Sequence, residues 1–369
     1  MPSENTNPRI RPVFKRNAPD DQEKFKSLPP PTGTFPYRLD IEKVIPGFPK
    51  GELVFHLAGD TGSLRAPEFQ IKVAGEMAKQ YQDEHPPRFM FHLGDVVYNF
   101  GQASKYYEQF FHPYEQYPAP VFAISGNHDA DVDPFDDEHP ESLQAFRRVF
   151  CDTESRPIPF ANGAKRLSNI QPNVYWTFQT PLADIIGLYS NVPKFGTITA
   201  EQKEWFIGEL KNSAAQGKAI IVCIHHAPYS ADINHGSSIH MMGFLNDAFA
   251  QAGVLPDVVL SGHVHDYQRF IKTYPDDKKL TYIVAGAGGY ADLHAIAQPN
   301  DPDFPDQSTL LDGVELQNYC THTHGFIKMS VTKQETGLQL KGEYYTVSYA
   351  DEPTEVFDSF TVDIDPSSR

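Results

Sequence analysis

Side chains with metal-binding chemistry occur in five short motifs, each placed where an apolar run ends and a turn begins. The motifs are Gly59-Asp60-Thr61-Gly62, Gly94-Asp95-Val96-Val97-Tyr98, Gly126-Asn127-His128-Asp129, Val222-Cys223-Ile224-His225 and Gly262-His263-Val264-His265. Carboxylate, amide oxygen and imidazole are the ligands that hard and borderline cations prefer. A single Gly-Asp pair usually indicates only a turn. Because α/β sheets present functional groups at the carboxyl ends of their strands, the whole set predicts one metal site.

The apolar runs before these motifs alternate with helical patterns, which indicates an α/β fold. We predict strands at residues 53–58, 89–93, 121–124, 174–178, 185–189, 219–224, 258–260 and 282–285. One helix is predicted from Pro67 to about Tyr81, and another after Thr199, where Gln202 completes a capping box. The end of the chain is rich in strands, predicted at residues 326–331, 338–345 and 356–362.

Two segments outside this pattern are polar and show no clear period. Residues 1–45 contain Pro29, Pro30 and Pro31 and are predicted to be a tail or a surface strap without chemistry, followed by one catalytic domain at residues 46–365. Residues 290–322 are rich in Pro, Asp, Asn and Gln. Long loops of this kind in compact domains are often functional lids or mobile segments, so this one is expected to border the site.

The overall charge restricts the partners of the protein. With 31 Lys and Arg against 48 Asp and Glu, the formal net charge is −17. This charge argues against binding to nucleic acid or to an anionic membrane, because both need clustered cations. A small anionic substrate is still compatible, since bound metal cations would dominate the local field.

The cysteines and the amino terminus indicate the compartment. Cys151, Cys223 and Cys320 are too few and too scattered for a disulfide framework, so we expect them to be reduced. The first residues lack the apolar core of a signal peptide, and no stretch has the length of a membrane helix. The default expectation is therefore a cytoplasmic protein, with a periplasmic or secreted protein as the alternative if an export signal has been removed.

The five motifs, read as GDxG, GDxxY, GNH[DE], VxxH and GHxH, resemble the signature of purple acid phosphatases. These enzymes are a branch of the calcineurin-like metallophosphoesterases, and the resemblance covers about residues 51 to 290. Generic members of the superfamily carry a His two positions after the first Asp, whereas this chain has Gly62 there and offers Tyr98 instead. The resemblance implies the metallophosphoesterase fold, a four-layer αββα sandwich in which two mixed sheets face each other between helices.

The resemblance also implies how the ligands are shared between two metal ions. One metal would be bound by Asp60, Tyr98 and His265, the other by Asn127, His225 and His263, with Asp95 bridging them. A phenolate is a hard, strongly donating ligand that suits ferric iron. The Tyr98 site would therefore hold Fe(III), and the other site a divalent Fe, Zn or Mn ion.

Such a centre predicts hydrolysis of phosphomonoesters by a metal-activated hydroxide, because two cations lower the pKa of a water and stabilise an in-line displacement. Asn127, His128 and His235 are expected to contact the substrate, with Asp129 orienting the imidazole of His128. His235 fits the position of the proton-donating His of the family, and His240 is the alternative.

Two other functions are compatible with the same motifs. A phosphodiesterase acting on cyclic nucleotides or phospholipid-derived diesters would use the same metal core, and residues 290–322 would then shape its pocket. An iron-binding or redox protein with weak hydrolysis belongs to a different class. A purely structural protein would not need seven ligand-type side chains at five strand ends.

Overall fold

The computed structural model describes residues 10–137, 140–350 and 353–366, and these contain fourteen strands and five α-helices. In chain order the strands are β1 (Arg38–Asp40), β2 (Glu52–Ala58), β3 (Met90–His92), β4 (Val121–Ala123), β5 (Trp176–Gln179), β6 (Ala183–Leu188), β7 (Ala219–Ile224), β8 (Val258–Ser261), β9 (Tyr267–Thr273), β10 (Lys279–Ala285), β11 (Val314–Cys320), β12 (Gly325–Lys333), β13 (Leu338–Thr346) and β14 (Glu355–Ile364). The helices are α1 (Glu68–Lys79), α2 (Asn127–Ala130), α3 (Gln144–Phe150), α4 (Ala200–Ala215) and α5 (Ile239–Ala252).

The strands form two mixed sheets. The larger sheet has the order β1-β5-β6-β7-β8-β10-β9-β11, with β6, β7, β8 and β10 parallel. The smaller sheet has the order β14-β13-β12-β2-β3-β4, in which β2, β3 and β4 are parallel and the other three strands continue antiparallel. Each sheet therefore has a block of parallel strands whose carboxyl ends share one edge.

Aromatic side chains fill the space between the two sheets. Phe91 of β3 stacks on Trp176 of β5 with ring centroids 5.8 Å apart, and Phe122 of β4 lies 4.4 Å from Phe178 of β5. Helices cover the other faces, since α4 packs on β6 and β7 and against α5, while α1 packs on β12. The predicted sandwich of two mixed sheets flanked by helices is confirmed.

The larger sheet begins before the predicted domain boundary at residue 45. Strand β1 pairs in parallel with β5, and Leu39 and the following Ile41 are only 3% and 0% exposed. The segment 290–322 also contains regular structure, because β11 pairs with β9 there. The polar sequence of β11, Val-Glu-Leu-Gln-Asn-Tyr-Cys, suits an edge strand with one exposed face and gives a weak apolar pattern.

The start of α4 differs in detail from the predicted capping box. Thr199 accepts a hydrogen bond from the backbone N–H of Gln202 (3.3 Å), as expected for an N-cap. The side chain of Gln202 instead bonds both the N–H and the C=O of Tyr189, each at 2.9 Å. These backbone groups lie just beyond the end of β6, so the glutamine satisfies polar groups that the sheet leaves unpaired.

The sequence predicts reduced cysteines. Cys151, Cys223 and Cys320 are all buried and free. No helix in the described parts of the chain has the length and apolar character needed to cross a membrane.

Candidate metal centre

The predicted ligands come from strand ends of both sheets. In the smaller sheet, β2 and β3 lead into the loops that carry Asp60 and Asp95, and β4 leads into α2, which begins at Asn127. In the larger sheet, the adjacent strands β7 and β8 lead into His225 and His263. The site therefore lies where the carboxyl edges of the two parallel blocks meet.

Backbone contacts hold these loops close together. The N–H of Asp60 donates to Gly94 O (3.0 Å), and the N–H of His263 donates to the carboxylate of Asp60 at 2.8 Å. Gly126 approaches Asp95 so closely that a Cβ atom there would lie 2.0 Å from Oδ1 of Asp95. The loops of the two sheets therefore position each other, and glycine is required at this contact.

Tyr98 lies between Asp60 and His265 in one half of the site. Its hydroxyl is 3.2 Å from Oδ1 of Asp60 and 3.1 Å from Nε2 of His265, and the last two atoms are 3.5 Å apart. The ring of Tyr290 packs on both Tyr98 and His265, with centroids 4.3 and 4.4 Å away. Burial, together with Asp60 and Asp95, raises the pKa of Tyr98 well above its ordinary value.

Asn127 joins the two histidines of the other half. Its Oδ1 is 3.1 Å from Nε2 of His225 and 3.0 Å from Nδ1 of His263. The C=O of Leu93 lies 2.8 Å from Nδ1 of His225. If Nδ1 carries the proton for this bond, Nε2 keeps its lone pair on the side of Asn127. Metal-binding histidines are commonly oriented by such a hydrogen bond from their other ring nitrogen.

Asp95 lies between the two halves. Its Oδ2 is 3.4 Å from Nε2 of His225, and one ligand atom each from Asp60, Asp95 and His225 lie within 4.8 Å of one another. Burial opposes the charge on Asp95, but His225 and His128 lower its pKa well below the usual range. Burial also opposes the charge on His225, yet Asp95 raises its pKa to about 9. The buried carboxylate of Asp95 is thus kept charged, which favours a cation beside it.

The donor set fits two metal ions. Seven candidate oxygen and nitrogen donors are connected by short contacts, and Nε2 of His263 is buried without a hydrogen-bond partner among the described residues. A Cβ atom at Gly62 would lie 2.4 Å from the C=O of Val96, so the His that generic family members carry at this position has no room here. Tyr98 offers the replacement donor on the same side of Asp60 as His265.

The imidazole of His128 lies at the mouth of the site. Its centroid is 4.4 Å from that of Tyr98, and its Nδ1 is 2.8 Å from the C=O of Asn99. Asp129, which was predicted to orient this ring, has a different partner set. Its carboxylate accepts hydrogen bonds from the backbone N–H groups of Gly126, Val96 and Val97 at 2.9 to 3.0 Å.

This geometry corrects the predicted role of Asp129. The C=O of Asn99 holds the ring of His128, while Asp129 fastens the loop that carries Asn127 to the loop that follows β3. Burial and the neighbouring Asp95 raise the pKa of Asp129 to about 7.

The two candidate proton donors have different surroundings. The ring of His235 lies 4.1 Å from that of His263, and its Nδ1 has no hydrogen-bond partner in the described structure. His240 lies in the first turn of α5, where its Nδ1 is 3.3 Å from the C=O of Gly196 and its ring packs against Phe195. The structure therefore brings His235 to the candidate centre and gives His240 contacts with a neighbouring loop.

Sequence reasoning missed several side chains that pack on the ligands. The ring of His226 lies 4.3 Å from that of His263, and His294 stacks on His265 at the same distance. Nδ1 of His294 is 3.0 Å from Oδ2 of Asp232. The double His at 225–226 was an available signal. His294 and Tyr290 lie in or beside the segment without a period, which gave no indication of their place.

The chain belongs to the calcineurin-like phosphoesterase family, whose sequence model matches residues 53–267. Two curated relatives from Arabidopsis thaliana carry the name of the purple branch. Probable purple acid phosphatase 20 is 28% identical over 179 residues, which is 46% of this chain and 38% of that protein. Purple acid phosphatase 15 is 28% identical over 210 residues, which is 54% of this chain and 35% of that protein. The matches thus span little more than a third of these relatives.

Solved structures show the same fold at lower identity. GAP50, described as the anchor in the inner membrane complex of Plasmodium, superposes with a TM-score of 0.54 at 16% identity, covering 85% of this chain and 89% of that one. A dimetal phosphatase from Danio rerio has a TM-score of 0.50 at 11% identity, covering 85% and 99%. Both support the assignment of the fold.

Proposed function

We propose that this chain hydrolyses phosphomonoesters at a centre of two metal ions. The observation that carries the proposal is the convergence of seven donor side chains in two halves that share Asp95. Membership of the calcineurin-like phosphoesterase family supports it. Two cations bound there would lower the pKa of a water and stabilise the entering and leaving oxygens of an in-line displacement.

The two halves of the centre offer different donor atoms, so each half favours a different metal ion. The half with the phenol of Tyr98 suits Fe(III), because phenolate is a hard and strongly donating ligand. The half with one amide oxygen and two imidazoles suits a divalent Fe, Zn or Mn ion. One ligand atom each from Asp95, from Asp60 of the first half and from His225 of the second lie within 4.8 Å of one another, which supports a bridging role for Asp95.

Two further imidazoles border the centre on different sides. His128 packs on Tyr98 of the first half, and His235 packs on His263 of the second. A hydrogen bond from Nδ1 of His128 to the C=O of Asn99 leaves its Nε2 to meet a phosphate oxygen. Nδ1 of His235 has no hydrogen-bond partner among the described residues. Burial lowers the pKa of this imidazole to about 3, so we assign it to protonate the leaving oxygen when a phosphate dianion bound beside it stabilises its charged form.

The first test is the visible absorption spectrum of the purified protein and of Tyr98→Phe. We expect a tyrosinate-to-Fe(III) charge-transfer band that Tyr98→Phe lacks. Tyr290→Phe is the matched control, because Tyr290 packs on Tyr98 without contributing to the ligand set, and it should keep the band. Metal content and hydrolysis of p-nitrophenyl phosphate and bis(p-nitrophenyl) phosphate are measured on the same samples.

The outcomes separate the parts of the proposal. Two metals and monoester turnover without the band would overturn the iron and Tyr98 assignments but leave the reaction. Faster turnover of the diester than of the monoester would overturn the monoesterase assignment. Two bound metals without turnover of either ester would overturn the reaction itself.

A further inference from the structure

The turn that carries His235 is built around the carboxylate of Asp232. This side chain is fully buried. It accepts hydrogen bonds from the backbone N–H groups of three residues of the turn, Asn234 at 3.0 Å, His235 at 3.2 Å and Gly236 at 2.8 Å. The hydroxyl of Ser230 donates to it as well (3.0 Å). One buried carboxylate therefore sets the position of the backbone of His235.

His294 connects this carboxylate to the candidate metal ligand His265. Nδ1 of His294 is 3.0 Å from Oδ2 of Asp232. The ring of His294 stacks on that of His265 with centroids 4.3 Å apart, and the ring of His235 is 5.2 Å away. The backbone N–H of His294 also donates to His265 O (2.9 Å). His294 thus lies between the candidate proton donor and the metal centre.

The contact between His294 and Asp232 is a hydrogen bond with a defined direction. A charged carboxylate can only accept, so Nδ1 of His294 carries the proton and donates it. Burial opposes the charge on Asp232, but the hydrogen bond with His294 lowers its pKa well below the usual range. The backbone nitrogen of His265 lies farther from the same Nδ1, at 3.3 Å. Asp232 therefore fixes both the tautomer and the orientation of His294.

Backbone pairing fastens the segment after His294 to the segment around Asp232. Two hydrogen bonds join them, one from the N–H of Ile233 to Ala295 O (3.0 Å) and one from the N–H of Ala297 to Ala231 O (2.8 Å). The first part of the segment 290–322 is thus attached to the turn of His235. The pair of side chains is held by the main chain on both sides.

We propose that Asp232 and His294 are positioning residues that hold His235 at the distance from the metal centre that protonation of the leaving oxygen requires. This inference rests on the proposed phosphomonoesterase function, in which the metals take the scissile phosphate and His235 protonates the departing oxygen. A catalytic acid must lie within hydrogen-bond reach of that oxygen, so a small displacement of His235 slows the step. The family match ends at residue 267, and His294 lies beyond it.

The test measures how each variant depends on the leaving group. Ethyl phosphate needs a proton on its departing alkoxide, whereas p-nitrophenyl phosphate does not. Asp232→Asn replaces one accepting oxygen by an NH2 group, and His294→Phe keeps a ring beside His265 but has no N–H for Asp232. With metals loaded, both variants should lower the ratio of kcat/KM on ethyl phosphate to that on p-nitrophenyl phosphate by roughly tenfold, less than removal of the imidazole in His235→Ala.

Asp184→Asn is the matched control. Asp184 is also a buried carboxylate, and it accepts hydrogen bonds from Oγ of Ser213 and Nζ of Lys218, both at 2.8 Å. It lies near the start of β6, away from the carboxyl edge of the sheet. The variant should lose stability in thermal unfolding and keep the wild-type ratio. A ratio that falls as far in Asp184→Asn as in Asp232→Asn would reflect a general loss of stability and would overturn the positioning role.

A double variant tests whether Asp232 acts through His235. If it does, His235→Ala already removes what Asp232 positions, so adding Asp232→Asn should cause little further loss on ethyl phosphate. Losses that multiply in the double variant would overturn the positioning role. If Asp232→Asn does not fold, the same cycle is measured with His294→Phe, in which Asp232 keeps its hydrogen bonds from the backbone of the turn.

The remaining outcomes separate this inference from the proposed function. An unchanged ratio in both single variants, each with two bound metals, would overturn the positioning pair while the phosphomonoesterase function stands. An unchanged ratio in His235→Ala would overturn proton donation by His235 and the pair with it. A metal-loaded wild type that turns over neither ester would overturn the proposed function as well.

Discussion

At the scale of single residues, three of the candidate ligands have backbone conformations that residues other than glycine seldom adopt. Asp60, Asp95 and His263 have φ angles of 56°, 55° and 68°, in the left-handed region. Residues of this kind persist only where the surroundings fix them, and they cluster at functional sites. Here the carboxylate of Asp60 accepts the N–H of His263, and Asp95 accepts the N–H of His128. The hydrogen bonds of the ligands thus hold the strained loops in place.

Replacement of Gly126 should therefore dismantle the centre. In Gly126→Ala the new Cβ would lie 2.0 Å from Oδ1 of Asp95, so the carboxylate of Asp95 must move. We expect loss of bound metal and a decrease in kcat of roughly 10²-fold or more, since displacements of about 1 Å have this effect. Metal analysis and p-nitrophenyl phosphate turnover measure it.

The control for this substitution is Gly208→Ala in α4, where a Cβ atom would meet nothing within 4 Å. It should raise the free energy of unfolding by about 0.5–1 kcal/mol and leave metal binding intact. A Gly126→Ala protein with two metals and normal turnover would show that the contact with Asp95 does not position the ligand.

His235 should matter most for substrates with poor leaving groups. An alkyl alkoxide needs a proton as it departs, whereas p-nitrophenolate departs without one. We expect His235→Ala to lower kcat/KM by roughly 10²-fold or more on an alkyl phosphate and much less on p-nitrophenyl phosphate. His240→Ala is the control, because its contacts are with Gly196 and Phe195. Equal losses on both substrates in His235→Ala would exclude proton donation.

At the scale of elements, the sequence predicts best those strands that have a clear apolar pattern of their own. Strand β7 has the predicted bounds 219–224, because a buried parallel strand is a continuous apolar run. Strand β1 has only three residues and β11 is polar at alternate positions, so both lack such a run. Tyr290 and His294 reach the site through contacts between distant loops, which no local pattern records. The positions of most candidate ligands could be predicted, because Asp60, Asp95, His225 and His263 lie within three residues of the ends of their strands.

Two substitutions at the junction of α4 with β6 test whether a long-range contact stabilises the fold more than a local one. In Gln202→Leu the N–H and C=O of Tyr189 lose their partners in a buried place. Each unsatisfied buried group costs about 1–3 kcal/mol, so the free energy of unfolding should fall by roughly 2–4 kcal/mol. Thr199→Ala removes only the helix cap and should cost about 1 kcal/mol. Urea unfolding compares them, and a larger loss in Thr199→Ala would contradict the assigned role of Gln202.

At the scale of the whole molecule, the site exists only when the two sheets are packed together. Asp60, Asp95 and Asn127 follow strands of the smaller sheet, while His225 and His263 follow strands of the larger one. Neither sheet alone supplies both halves of the ligand set. Conditions that loosen the packing of either sheet should therefore release metal, and acid is one such condition because of a histidine buried in the smaller sheet.

His56 of β2 is fully buried between two neutral partners. Its Nδ1 is 3.0 Å from the hydroxyl of Tyr117, and its Nε2 is 3.1 Å from Oε1 of Gln80. Lys328 and Asp83, whose charges act on His56, form an ion pair with each other at 2.6 Å. Burial lowers the pKa of His56 from 6.5 to about 3, with the Gln80 hydrogen bond opposing the shift and Lys328 adding to it.

This lowered pKa predicts a loss of stability in acid. Between about pH 6.5 and 3 the unfolded chain binds a proton at His56 and the folded protein does not. The free energy of unfolding should therefore be fully retained above this range and fall on acidification, by up to about 1.4 kcal/mol per pH unit from this residue. His56→Gln cannot take up the proton, so its stability should fall less steeply with acid than that of the wild type, whatever its value at neutral pH. Urea unfolding at several values between about pH 4.5 and 7.5 measures both slopes. Equal slopes in the two proteins would show that His56 is not a source of the acid sensitivity.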